Sequence, residues 1–410
     1  MLKQDMVREA TRLTRAGRLV EATALLQRML RGEAAADAAS GAAAETSFAT
    51  REPLIIDAKA NVIGKADRPH SPDTSNRPRI PGEELRQHTR GRSGLGSRAK
   101  VKRGPPSTPD ILPEGGKYIE GSHSNPAGSR NYRLFIPSNY RGQPLPLVVM
   151  LHGCTQSPDD FAAGTRMNFI AEEKTCLVVY PAQRREANQA KCWNWFRTAD
   201  QQRGSGEPSL IAGITRQIMR DYAVDQKRVY IAGLSAGAAA AAIMGATYPD
   251  LYAAIGIHSG LACGAATDLP SAFVAMRQGA SAASSGSGEG IILTGGRTVP
   301  TIVFHGDRDM TVHPSNGDHI LGQSLRTTST QTKLYRGRVQ GGHAYTRTIH
   351  TDAGGRAILE HWNIHGAGHA WSGGSPAGSY TDPQGPDATR EMLRFFLDHS
   401  LPEQSVARCP

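Results

Sequence analysis

One passage constrains this chain more than any other: Val229-Tyr230-Ile231-Ala232-Gly233-Leu234-Ser235-Ala236-Gly237, continued by the alanine-rich stretch Ala238–Ala246. A β-branched and aromatic run leads into G-x-S-x-G, and that leads into a strong helix former. The passage reads as strand, sharp turn and helix, with the serine hydroxyl raised on strained backbone. The glycines at 233 and 237 have a steric reason. A Cβ at either would strike the neighbouring strand or helix once the serine takes strained dihedrals. A serine so placed is a poor nucleophile until a base, an orienting acid and oxyanion donors surround it.

Those partners occur along the chain, each at the carboxyl end of a predicted strand. Upstream, Leu147–Leu151 is a buried strand running into His152-Gly153-Cys154. Downstream, Thr301–His305 is another, ending in a turn with two acids, Asp307 and Asp309. Later, Ile364-His365-Gly366-Ala367-Gly368-His369 closes a strand with a glycine-flexed loop. Ser235 is the candidate nucleophile and His369 the candidate base. His361, His365 and His369 also repeat at i, i+4, i+8, which on a helix would suggest a metal. Gly366 and Gly368 oppose a continuous helix, and the glutamate of a metalloprotease helix is missing. No metal is expected, and His361 and His365 read as structural residues of a strand.

The chain has 410 residues and a formal charge of +10. Residues 1–110 hold 20 Lys and Arg against 13 Asp and Glu, so most of the excess lies there. Residues 1–31 read as a short amphipathic helical hairpin broken at Gly17. Residues 32–112 read as a basic, low-complexity, disordered linker. From 113 to 400, apolar runs alternate with helical patterns, as a mostly parallel sheet with helices on both faces requires. The strands expected are Lys117–Glu120 and Arg130–Pro137 as an antiparallel pair, then 145–151, 177–180, 229–232, 253–257 and 301–305. Ala357–Ile364 is expected to be the last. Helices are expected within 168–174, 210–222 and 389–399. Residues 276–297 read as a mobile insertion and 401–410 as a tail. No aromatic residue lies between Phe48 and Tyr118, so no stacking platform supports nucleic-acid binding by the basic stretch. Contact with a granule or acidic surface is the other reading of that stretch. No secretory signal is read in Met1–Arg31, and no run is long enough to span a membrane. The compartment is left open, with the cytoplasm as the default.

The motifs Leu151-His152-Gly153-Cys154-Thr155-Gln156, Cys192-Trp193-Asn194-Trp195-Phe196, Gly233-Leu234-Ser235-Ala236-Gly237 and Gly366-Ala367-Gly368-His369-Ala370-Trp371 together resemble the polyhydroxybutyrate (PHB) depolymerase esterase family. That family is kin to feruloyl and acetylxylan esterases. The resemblance covers roughly residues 115–400 and implies an α/β-hydrolase fold and a serine esterase without a cofactor. In the family-like pattern G-x-x-D-x-x-V the acid is Asp309, and Asp307 becomes a turn residue bonded to local backbone. The residue after the nucleophile, Ala236, supplies one oxyanion amide. By resemblance Cys154 supplies the other. Trp193, Trp195 and Trp371 fall in motifs near the site and are expected to wall the substrate pocket. Cys154 and Cys192 also fall in family motifs, and an oxidising compartment would let them pair. Cys176, Cys263 and Cys409 read as free thiols. The implied substrate is a poly- or oligo-3-hydroxyalkanoate ester, with feruloyl or acetylxylan esters as the alternative. A non-catalytic granule- or surface-binding protein is the rival class. The sequence runs only about ten residues past its predicted closing helix, so no carboxyl-terminal polymer-binding domain of the kind found in secreted depolymerases is expected.

Overall fold

A computed structural model describes residues 111–279, 297–325 and 330–403. The hairpin and linker expected before residue 111, most of the 276–297 insertion, and Cys409 lie outside the described residues.

The elements follow in chain order: β1 (Lys117–Asn125), β2 (Gly128–Ile136), β3 (Leu145–Leu151), α1 (Pro158–Thr165), α2 (Met167–Lys174), β4 (Leu177–Pro181), α3 (Gly206–Asp221), β5 (Val224–Leu234), α4 (Ala236–Thr247), β6 (Ala254–His258), α5 (Leu269–Gln278), β7 (Thr301–Gly306), α6 (Ser315–Leu325), β8 (Gln331–Arg338), β9 (Ala344–Thr351), β10 (Ala357–His365), β11 (Trp371–Ser372), β12 (Thr381–Asp382) and α7 (Ala388–Leu397). The large sheet has the order β1-β2-β4-β3-β5-β6-β7-β10-β9-β8. From β4 to β10 neighbouring strands are parallel, with antiparallel pairs at both edges.

The central strands are buried on both faces, which is why they read as unbroken apolar runs. Alternation still sorts their side chains. Leu147, Val149 and Leu151 of β3 join one core with residues of α3 and α4. Val148 and Met150 join the other, with Phe161 of α1, Met167 of α2 and Phe396 of α7. Helix α4 is buried along its whole length, which its small side chains permit.

Several elements differ from expectation, helices α1, α5 and α6 among them. The β8–β9 hairpin was not foreseen, because β8 is exposed along nearly its whole length and so carries no apolar alternation. Strand β10 is not the last. Two short strands, β11 and β12, follow it as a separate parallel pair. Past α7 the chain stays pinned: the Leu401 N–H donates to the Lys227 carbonyl (2.9 Å), and Lys227 Nζ meets Glu403 at 3.0 Å.

Candidate active site

Ser235 stands between β5 and α4 with φ 57° and ψ −119°. A side chain at positive φ costs on the order of 1–3 kcal/mol, so the surrounding structure must impose it. Two close approaches do so. A Cβ on Gly233 would lie 2.4 Å from the Gly237 carbonyl, and one on Gly237 would lie 2.1 Å from the Leu151 carbonyl oxygen. The Ser235 N–H donates to the His258 carbonyl at 2.9 Å, tying the turn to the end of β6. Because the Gly237 obstacle is backbone, Gly237→Ala is expected to destabilise the fold by about 3 kcal/mol, read as a lowered urea midpoint.

The parallel strands bring four loops to one edge. The acid turn after β7 and the loop after β10 are laced together. The Asp307 N–H donates to the Ile364 carbonyl at 3.1 Å and the Arg308 N–H to the Ala367 carbonyl at 3.0 Å. Gly306 permits this approach, since a Cβ there would fall 2.3 Å from the Ala367 oxygen. Both acids pair with a histidine. His369 Nδ1–H donates to Asp309 Oδ2 at 2.7 Å, and His365 Nδ1 meets Asp307 Oδ2 at 3.0 Å.

The two pairs differ in burial and in what the far ring nitrogen does. Asp309 is 3% exposed, and its Oδ1 accepts from the Thr311 and Val312 amides, both at 2.9 Å. Burial by itself raises its pKa. Hydrogen bonds from His305 and His369 outweigh that and hold the carboxyl well below the usual range. The Asp307–His365 pair is exposed, and His365 Nε2 is already engaged by Thr346 Oγ1 at 2.9 Å. Among the described residues His369 Nε2 has no hydrogen-bond partner. Asp307 is therefore not the local turn residue expected. Its carboxylate reaches across to His365 and to the Gly366 amide, 2.7 Å away.

The loop after β3 is built around buried polar groups. His152 Nε2 accepts from the Gln183 amide (3.1 Å), so its Nδ1 carries the proton and donates to the Gly153 carbonyl (2.8 Å). The Gly153 amide donates to Gln156 Oε1 (2.9 Å), and Gln156 Nε2 donates to Asp160 and to the Ser379 carbonyl, each at 3.0 Å. Cys154 and Cys192 form a disulfide. Cys176 and Cys263 are free and buried. With these ties made, neither the Cys154 nor the Ala236 amide has an acceptor among the described residues. In the sequence His152 and Gln156 are legible only as members of a motif, without their supporting roles, and His258 is not legible at all, because a buried polar side chain carries no local pattern.

The tryptophans need correction as pocket walls. Trp193 and Trp371 are at most 1% exposed and have almost no surface to offer a substrate. Trp193 supports the loop from beneath, its Nε1–H donating to the His152 carbonyl at 3.1 Å. Trp371 donates to Thr389 Oγ1 at 2.9 Å and stacks on His258. Trp195 is 6% exposed and packs edge-on against Phe196.

Burial lowers the pKa of His152 to about 4 and of His258 to about 3, against 6.5 for an ordinary histidine. Below pH 6.5 the unfolded chain takes up protons that the native state refuses, so stability falls as pH falls. Between pH 6.5 and 4 each is expected to remove on the order of 2 kcal/mol, read from urea midpoints across that range.

A family model described as esterase PHB depolymerase matches residues 130–337, about half of the chain. This chain belongs to that family. The match takes in Cys154, Ser235 and Asp309 and stops short of His369. Poly(3-hydroxyalkanoate) depolymerase C of Paucimonas lemoignei is 32% identical over 249 residues, covering 58% of each chain. Feruloyl esterase B of Neurospora crassa is 32% identical over 152 residues, covering 36% of this chain and 50% of its own. Acetylxylan esterase A of Aspergillus ficuum is 30% identical over 141 residues, covering 34% and 45%. The chain thus spans about half the length of the curated relatives it matches. Among solved structures, an acetyl xylan esterase from Aspergillus awamori superposes with a TM-score of 0.52 at 19% identity, covering 69% of this chain and 99% of that one. The fold is that of the α/β-hydrolases.

Proposed function

We propose that this PHB depolymerase family member is a serine esterase that cleaves carboxylic esters through an acyl-enzyme. One observation carries the reading: the strained Ser235 and the His369–Asp309 hydrogen bond stand at the same sheet edge, with His369 Nε2 unspent. Ser235 Oγ attacks the ester carbonyl while His369 Nε2 takes its proton. Asp309 keeps the proton on His369 Nδ1 and stabilises the imidazolium. The Cys154 and Ala236 amides receive the oxyanion. Collapse expels the alkoxide, which leaves with the proton from His369. Water, deprotonated by the same nitrogen, then releases the acid and restores Ser235.

The substrate class follows the relatives. Short poly- or oligo-3-hydroxyalkanoates come first, since a poly(3-hydroxyalkanoate) depolymerase shares the longest aligned stretch among the three relatives above. Feruloyl and acetylxylan esters are the second reading. Parallel assays on hydroxybutyrate trimer, methyl ferulate and acetylated xylan decide between them, and a preference for either plant ester would sink the first.

The proposed catalytic domain is 113–400, with the basic segment before it acting in surface contact. Deleting residues 1–110 is expected to leave turnover of a soluble ester within about twofold, since every proposed catalytic group lies after residue 150. The same deletion is expected to weaken cosedimentation with hydroxybutyrate granules, most visibly at low salt. Lost turnover would move the domain boundary, and unchanged cosedimentation would leave the segment a linker.

A further inference from the structure

Among the described residues, six buried side-chain polar atoms lack a hydrogen-bond partner, and three lie on the neighbouring strands β7 and β10: His305 Nδ1, His361 Nε2 and Asn363 Oδ1. His305 is paired with Asn363 across β7 and β10, and His361 lies two residues earlier on β10. Helix α6 passes over them at Gly317. A Cβ there would stand 3.1 Å from His361 Nε2 and 3.5 Å from His305 Nδ1. Two buried ring nitrogens thus lie close against the α6 backbone at Gly317. Buried polar atoms in native proteins are nearly always satisfied, so orphans grouped beside a candidate site call for an explanation.

The other end of His305 explains why this matters. Its Nε2 lies 2.9 Å from the Val312 carbonyl and 3.4 Å from Asp309 Oδ2. A carbonyl only accepts, so Nε2 carries the proton and is shared with the carboxylate that holds His369. The ring is 1% exposed. Nδ1 is then a bare acceptor that needs a donor.

We propose that His305 is a positioning residue for the Asp309–His369 pair, its Nε2–H lying between the Val312 carbonyl and Asp309 Oδ2. The inference rests on the proposed esterase reading of the site. His305 closes the turn from Gly306 to Val312 and supplies Oδ2 with a second donor. Without it, the carboxylate is freer to turn and pulls harder on the imidazolium of His369. The titratable groups around this relay include His258 on β6, Asp307 and Arg308 in the turn, His350 on β9, His361 and His365 on β10, and Asp318 on α6.

The test uses the full chain with p-nitrophenyl butyrate. His305→Phe removes the donor at similar volume and is expected to lower kcat about 10- to 100-fold with KM nearly unchanged. The acidic limb of kcat/KM is expected to move to higher pH. His305→Gln, which retains an N–H near the Nε2 position, is expected to recover most of the loss. A wild-type kcat and an unmoved limb in His305→Phe would overturn the inference. Ser235→Ala is assayed alongside. If it is active, the esterase reading fails and takes this inference with it; if it is dead while His305→Phe is normal, only the inference fails. Should His305→Phe not fold, 15N histidine spectra of the wild type decide, with the His305 signal assigned by its loss in His305→Gln. An Nε2–H tautomer supports the proposal, and an Nδ1–H tautomer overturns it.

Discussion

Replacing Ser235 with alanine is expected to lower turnover of p-nitrophenyl butyrate by at least about a hundredfold, and by as much as about 10⁶-fold if no other group substitutes for the nucleophile. The loss should fall on kcat, because the hydroxyl acts in bond formation rather than in binding. The fold should survive. Ser235 contributes its backbone to the elbow through the bond from its N–H to the His258 carbonyl, and alanine keeps that bond. Ser235 makes no side-chain capping bond to α4, so none is lost. An unchanged melting curve together with absent turnover is the outcome expected. Retention of more than about a tenth of wild-type kcat would remove Ser235 from the mechanism. Absence of turnover in the wild type as well would instead favour the rival reading of a non-catalytic surface-binding protein.

Asp309→Asn is expected to cost about 10⁴ in kcat, whereas Asp307→Asn should cost less than about tenfold. An amide at position 309 is able to accept the His369 Nδ1–H through its oxygen, but it is equally able to donate from its nitrogen. Donation stabilises the tautomer whose Nε2 already bears the proton, and that nitrogen then has no room for the serine proton. At position 307 the same change disturbs an exposed pair whose histidine is bound to Thr346. Kinetics of both variants on one soluble ester, with circular dichroism to confirm folding, are the measurement. The reverse ranking would move the orienting acid to Asp307.

The central architecture was legible in the sequence because its signals are local. Strand β3 carries seven buried residues in an unbroken apolar run, and its bounds match the run read from the sequence. The elbow was legible for the same reason. Gly233 and Gly237 are demanded by contacts within one strand–turn–helix unit and with the adjacent end of β3. The edge hairpin β8–β9 left no such trace, since β8 buries neither face and its residues face no consistent selection for apolar alternation.

What distinguishes the two acids was decided by the tertiary structure. Asp307 and Asp309 lie in one turn, and each meets a distant histidine, His365 at the end of β10 or His369 in the loop that follows. A family-like spacing pointed to Asp309, but spacing carries no information about which pair is buried or which imidazole nitrogen is left unspent. Those properties arise only when β7 and β10 become neighbours and Gly306 lets the two loops touch. The tryptophans make the same point from the other side. Their motifs placed them near the site, yet whether a large ring faces substrate or core depends on the layers packed over it. Trp193 lies beneath the loop after β3 and Trp371 against α7, both buried in the core. Backbone strain and apolar periodicity are written within a few residues. Hydrogen-bond partners and burial belong to pairs brought together from far apart in the chain, and only the folded sheet determines them.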